Sequence, residues 1–151
     1  MAGYTATIRW KRGDAVFTDN KYSRAHDVVF DAPLTIQGSS SPHVVPRPYS
    51  RDDAVDPEEM LVASLSSCHM LSFLWVAYKA GFVVDSYEDT AEGVMSKNDA
   101  GKAWVSKTTL RPQIAWGGER KPSADELATL HHHAHEECFI ANSYKGEVIV
   151  A

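Results

Sequence analysis

Apolar residues run almost without interruption from Met60 to Phe82, and nowhere else in the chain is hydrophobicity so sustained. His69, Lys79 and scattered serines break the run, so it reads as the buried helix of a soluble protein rather than a membrane span. Its start is punctuated: Asp56 is the N-cap candidate, Pro57 the first helical residue, and Glu59 completes an Asp-x-x-Glu capping box. Gly81 supplies the stop. A helix so bounded has about 24 residues and is roughly 36 Å long at 1.5 Å per residue. It is apolar on nearly every face, which places it at the centre of the core. One small sheet cannot cover all of those faces, and an intimate homodimer would.

Before this helix, β-branched and aromatic residues bounded by Gly, Asp and Pro predict short strands over Thr5–Trp10, Ala25–Phe30 and Leu34–Gln37. Gly38–Val55 contains three prolines and has no periodicity. It predicts a long surface loop of the kind that often walls a site. After the helix, Tyr87–Lys97 and Ala103–Trp116 predict two strands around the turn Asn98-Asp99-Ala100-Gly101, with Pro112 marking an edge or a bulge. Ser123 and Glu126 form a second capping box, opening a helix that runs to about Phe139 and stops near Asn142. Tyr144–Val150 closes the chain as a short strand. This order defines an α+β class with helices against antiparallel sheet, in one domain over residues 1–151.

A formal charge of −5 argues against nucleic acid and against an anionic membrane surface as obligate partners. The first residues, MAGYTATIRWKRGDAV, carry no apolar export signal, so a cytoplasmic location is expected. In that reducing setting a disulfide is more readily catalytic than structural. The only two cysteines, Cys68 and Cys138, therefore become the centre of interest.

A cysteine inside an apolar helix is ordinarily a small core hydrophobe. Burial raises a thiol pKa, and mid-helix placement denies Cys68 the help of the helix N-terminus. A reactive Cys68 thus needs a cation, and arginine suits because it stays charged when partly buried. Arg24, Arg47 and Arg51 precede the helix; Arg24 is preferred because a strand would hold it, whereas the other two lie in the long loop. Glu58 favours the helix N-terminus through the dipole, and it could also hold that arginine. Ten helical residues, roughly 15 Å, separate Glu58 from Cys68. If the two share a site, Glu58 must reach Cys68 of the partner subunit. His131, His135 and Cys138 fall at i, i+4 and i+7, a spacing compatible with zinc but lacking an evident fourth ligand. His135 is also placed to assist proton transfer. Phe73, Trp75, Tyr78 and Phe82 are accounted for by core packing, or by an apolar pocket beside Cys68.

Asp56-Pro57-Glu58-Glu59 followed by Cys68, and Ala-His-Glu-Glu-Cys at 134–138 followed by Asn142-Ser143, resemble the OsmC/Ohr family of thiol-dependent peroxidases. The resemblance runs from about Tyr22 to Val150. It implies antiparallel sheets wrapped around two central helices in an intertwined homodimer. It further implies a peroxidatic Cys68, a resolving Cys138, Arg24 as activating cation and Glu58 as its orienting partner. Organic hydroperoxides and related peroxides would be substrates, a lipoyl-type or small dithiol the reductant, and no cofactor would be needed. Ohr members commonly carry Cys-Pro where this chain has Cys138-Phe139, and Tyr22-Ser23-Arg24-Ala25-His26 and the Pro-rich loop look more like an OsmC-like subgroup. The competing reading is a non-catalytic module that binds a hydrophobic ligand and keeps both cysteines reduced.

Overall fold

The computed structural model describes all 151 residues. Its contacts divide the chain into two compact units, Met1–Met60 and Leu61–Ala151. In the first, β1 (Ala6–Arg9), β2 (His26–Phe30) and β3 (Thr35–Gly38) form an antiparallel sheet in that order. Each is a short run of the residue types a pleated surface accommodates. The registers pair Ala6 with Phe30 and His26 with Gly38. Trp10, Phe17 and Tyr22 pack together beyond β1, with Phe17 and Tyr22 stacked at 4.8 Å.

The loop after β3 has no regular element, as its prolines dictate, yet it is tied down at both ends. Ser39 N–H donates to the Val55 carbonyl and Val55 N–H to the Gln37 carbonyl, each at 3.0 Å. Ser39 Oγ accepts from the Arg51 N–H at 3.1 Å. A loop whose backbone groups are satisfied in this way is ordered without being helix or strand.

The long helix, α1 (Pro57–Lys79), follows the predicted boundaries. Glu59 N–H donates to Asp56 Oδ1 at 2.7 Å and Asp56 N–H donates to Glu59 Oε2 at 3.1 Å, the reciprocal capping box. At the other end Gly81 takes φ +82°, Phe82 N–H reaches the Ala77 carbonyl and Gly81 N–H reaches that of Tyr78. That is a Schellman stop, and glycine is there because other residues resist positive φ.

In the second unit the expected hairpin is bent. Tyr87–Lys97 is not one strand but parts of two, β4 (Val83–Asp89) and β5 (Glu92–Lys97). Ala103–Trp116 likewise divides into β6 (Ala103–Leu110) and β7 (Pro112–Gly117). β4 pairs with β7 in one antiparallel sheet and β5 with β6 in another. Both arms turn at the same level, where Asp89 lies opposite Pro112 and Glu92 opposite Thr109. The cause is local: Pro112 has no N–H to give to a continuous ladder. The Arg111 N–H donates to the Asp89 carboxylate at 2.6 Å. The closing strand β8 (Glu147–Val150) joins β6 in parallel.

The second helix also divides, into α2 (Ala124–Glu137) and α3 (Phe139–Ser143), with Cys138 between them. Its predicted capping box of Ser123 and Glu126 is present. The core forms where Phe73, Val76 and Ala77 of α1 meet Leu130 and Ala134 of α2, together with Phe82. Val84, Tyr87, Ile114 and Trp116, from β4 and β7, pack against that cluster. These α1 positions follow the helical repeat and define its buried stripe. On the same helix Leu71, Trp75 and Tyr78 remain 60%, 53% and 73% exposed, so the hydrophobicity of α1 exceeds what its own chain covers.

Candidate active site

Cys68 stands near the middle of α1 and is half-buried, whereas Cys138 is fully buried. Seventy positions apart in the chain, the two lie 3.1 Å from each other and are not bonded. Cys138 owes its place to the break between α2 and α3, where its backbone is extended. It serves both helices, ending α2 and capping α3, with Sγ accepting from the Ala141 N–H at 3.3 Å. Asn142 Nδ2 donates to the Glu136 carbonyl at 3.0 Å and satisfies a group that the break leaves open. Burial pushes the Cys138 thiol up to about 11 and Cys68 beside it adds to the shift, while the Ala141 N–H opposes it. Cys138 is therefore a protonated thiol at neutral pH, and Cys68 is the sulfur with access to solvent.

Beside this dithiol lies a pair that sequence reasoning missed. His69, 1% exposed, brings Nε2 within 3.0 Å of His131 Nδ1. The two rings are stacked at 5.3 Å, and Phe73 stacks on His131 at 4.4 Å. One ring donates and the other accepts, so the contact holds one proton. His69 Nδ1 is buried without a partner. The available signal was a lone histidine in an apolar helix facing a histidine on a second amphipathic helix. His131, His135 and Cys138 do not form a metal site: no three His, Cys, Asp or Glu side chains are arranged to hold an ion.

The pair has a consequence for stability. His69 falls from 6.5 to about 4, chiefly because burial penalises the charged ring; His131 and His135 add to this and Asp89 opposes it. The unfolded chain binds a proton that the folded chain refuses. The stabilisation is thus whole above pH 6.5 and lost as pH falls to about 4. The loss is about 3 kcal/mol. Urea unfolding at stepped pH should show it as a declining midpoint across that window, and a flat midpoint would exclude it.

Glu58 and the candidate arginines all lie in the first unit. Arg24 donates to the carbonyls of Asn20 and Tyr22 and to Asn20 Oδ1, and its guanidinium lies 3.7 Å from the centre of the Tyr22 ring. Arg47 pairs bidentately with Asp52, and Arg51 does so with Asp53. Glu58 pairs with none of them in its own chain, and its Oε2 is buried without a hydrogen-bond partner. The aromatics divide: Phe73 and Phe82 are core, while Trp75 and Tyr78 are exposed. A cleft of about 660 Å³ is lined by Trp75, Val76, Phe82 and Leu130, with Lys79 and Glu137 among its polar neighbours and neither cysteine in its wall.

Fold and site together define a class, an α+β protein whose two thiols meet where its helices pack. The family model for OsmC-like proteins matches residues 50–151, and the chain belongs to that family. An OsmC-like protein of unknown function from Vibrio cholerae O1 biovar eltor is 51% identical over 100% of this chain and 99% of that one, with a TM-score of 0.96. An organic hydroperoxide resistance protein from Elizabethkingia anophelis is 19% identical over 99% of this chain and 93% of that one, with a TM-score of 0.73. The organic hydroperoxide resistance protein OhrB of Bacillus subtilis is 18% identical over 99% of this chain and 95% of that one, with a TM-score of 0.67. At those identities the last two establish a shared fold. A search of curated proteins finds no match.

Proposed function

We propose that this protein is a two-cysteine peroxidase acting on organic hydroperoxides. The observation that carries the reading is the approach of an accessible Cys68 to a buried, protonated Cys138 at 3.1 Å. The Cys68 thiolate attacks the terminal peroxide oxygen and the O–O bond breaks. The departing alkoxide takes a proton to leave as the alcohol, and Cys68 is left as a sulfenic acid. Cys138 displaces water from that sulfur, forming the disulfide, and an external dithiol then returns both thiols while becoming oxidised itself.

Activation of Cys68 is assigned to Arg24, oriented by Glu58 through a charge-assisted pair. α1 is unbroken from Pro57 to Lys79. The proposed arrangement is therefore a homodimer, in which Arg24 and Glu58 serve Cys68 of the partner subunit. The unpartnered Glu58 oxygen and the bare stripe of Leu71, Trp75 and Tyr78 support it. Arg24 would exchange its contacts with Asn20 and Tyr22 for Glu58. Sedimentation equilibrium should return twice the chain mass at micromolar concentration; a monomer would remove this route to an activated Cys68.

The peroxidase itself is tested on reduced protein, treated anaerobically with one equivalent of cumene hydroperoxide and followed by intact and peptide mass spectrometry. Rapid appearance of a Cys68–Cys138 disulfide is expected. Thiols that stay free would leave the hydrophobic-ligand module, for which the apolar cleft at Trp75 and Phe82 is the supporting feature.

A further inference from the structure

The hydrogen bond between His69 and His131 is the only one formed between side chains of α1 and α2. Those same helices deliver the two cysteines: Cys68 precedes His69 in α1, and Cys138 ends α2 two turns beyond His131. The apolar contact between the helices, through Phe73, Val76, Ala77, Leu130 and Ala134, is nondirectional. Apolar packing brings helices together but does not by itself select one register, whereas a buried hydrogen bond does. The register at His69 and His131 is thus tied to the register at the sulfurs.

We propose that the His69–His131 pair is a positioning element for the dithiol: sharing one proton it holds Cys138 against Cys68, and charging the rings opposes that closure. The acceptor nitrogen in the contact is available only while it stays unprotonated. With both rings charged, two donors face each other at the hydrogen-bond distance, and the contact becomes repulsive. The groups around the pair set its tolerance. Asp89, at the end of β4, favours the charged rings, although its carboxylate is already engaged by Ser66 Oγ and the Arg111 N–H. His135 on α2 disfavours a charge on His69. Tyr87 on β4, packed against Phe73, presents a buried hydroxyl without a hydrogen-bond partner. Arg111 directs its guanidinium away, to Glu92 at 3.0 Å.

Coupling between sites is reciprocal, so if neutral rings favour joined sulfurs, joined sulfurs must favour neutral rings. The inference deepens the dithiol reading but needs only that the sulfurs can join, with no peroxide involved. It is therefore tested with glutathione: protein dithiol plus oxidised glutathione gives protein disulfide plus two reduced glutathiones, and any proton taken up by a Cys68 thiolate is common to wild type and a histidine variant, so it cancels in their ratio. Histidine ring NMR in the dithiol and disulfide forms should show the pair titrating about one pH unit lower in the disulfide form. With His69 titrating near 4 in the dithiol form, the pair should lower the glutathione equilibrium constant about twofold between pH 7 and pH 4, and further below that. His131→Gln, which keeps a hydrogen-bonding side chain that does not titrate, should retain the pH 7 constant and lose the pair's share of the acid dependence. Identical ring titrations in the two forms, or an acid dependence as steep in His131→Gln as in the wild type, would overturn the proposal. The NMR arm uses the unaltered protein, so a variant that fails to fold leaves the test intact.

Discussion

Cys68→Ser is expected to lower hydroperoxide turnover by about three orders of magnitude or more, because nothing else in the pair can replace the attacking sulfur. Cys138 cannot take over: burial holds its thiol near 11, which keeps it protonated, and it is closed to solvent. The reciprocal variant, Cys138→Ser, should behave differently. Its Cys68 still meets peroxide, so one equivalent is consumed and a sulfenic acid accumulates, trappable by dimedone. Turnover with a dithiol should then slow, and excess peroxide should drive Cys68 to irreversible acids. The two variants are compared by peroxide consumption per chain, without and then with reductant. A Cys68→Ser protein that still consumes peroxide at the wild-type rate would remove the peroxidase reading. Equal loss in both variants would instead point to Cys138 as a participant in the first step.

Phe73→Ala should produce the largest change in stability of any single truncation, about 3–5 kcal/mol. Phe73 is 0% exposed, and its ring meets those of Tyr87 at 5.7 Å, Trp116 at 6.1 Å and His131 at 4.4 Å. Three rings from α2, β4 and β7 surround it, and no one of them can fill the void without leaving its own packing. The cavity therefore persists and adds its cost to the lost transfer energy. Urea unfolding at neutral pH is the measurement. A loss under 1 kcal/mol would mean that the site collapses around alanine, and the core would be less tightly keyed than these ring contacts indicate. Because Phe73 also supports the His131 ring, the variant should carry looser histidine contacts even where it remains folded.

The stops and starts of this chain were open to reading from residues a few positions apart. The box at Asp56 and Glu59, the glycine at 81 and the box at Ser123 and Glu126 all act within one helical turn, and all appear as read. The Pro-rich loop and the three N-terminal strands follow for the same reason. The misread elements depended on distant partners. Pro112 announced an irregularity, but not that both arms of the hairpin would bend there and enter different sheets, since that bend is completed by Asp89 on the opposite arm. Cys138 read as part of a helix because its neighbours are good helix residues. The break is stabilised by Asn142 reaching back to the Glu136 carbonyl and by Ala141 donating to the sulfur.

The site divides along the same line. That Cys68 sits inside an apolar helix with Glu58 ten residues ahead is a property of the chain alone, and the OsmC-like motif is legible there without coordinates. Tertiary packing decided the rest. It placed Cys138 beside Cys68 across seventy positions, paired His69 with His131, and left Trp75 and Tyr78 bare while burying Phe73 on the same helix. The physical reason is range: capping, propensity and periodicity are settled within four or five residues. Which face of α1 meets α2, and in what register, depends on burying a surface assembled from α1, α2, β4 and β7 together.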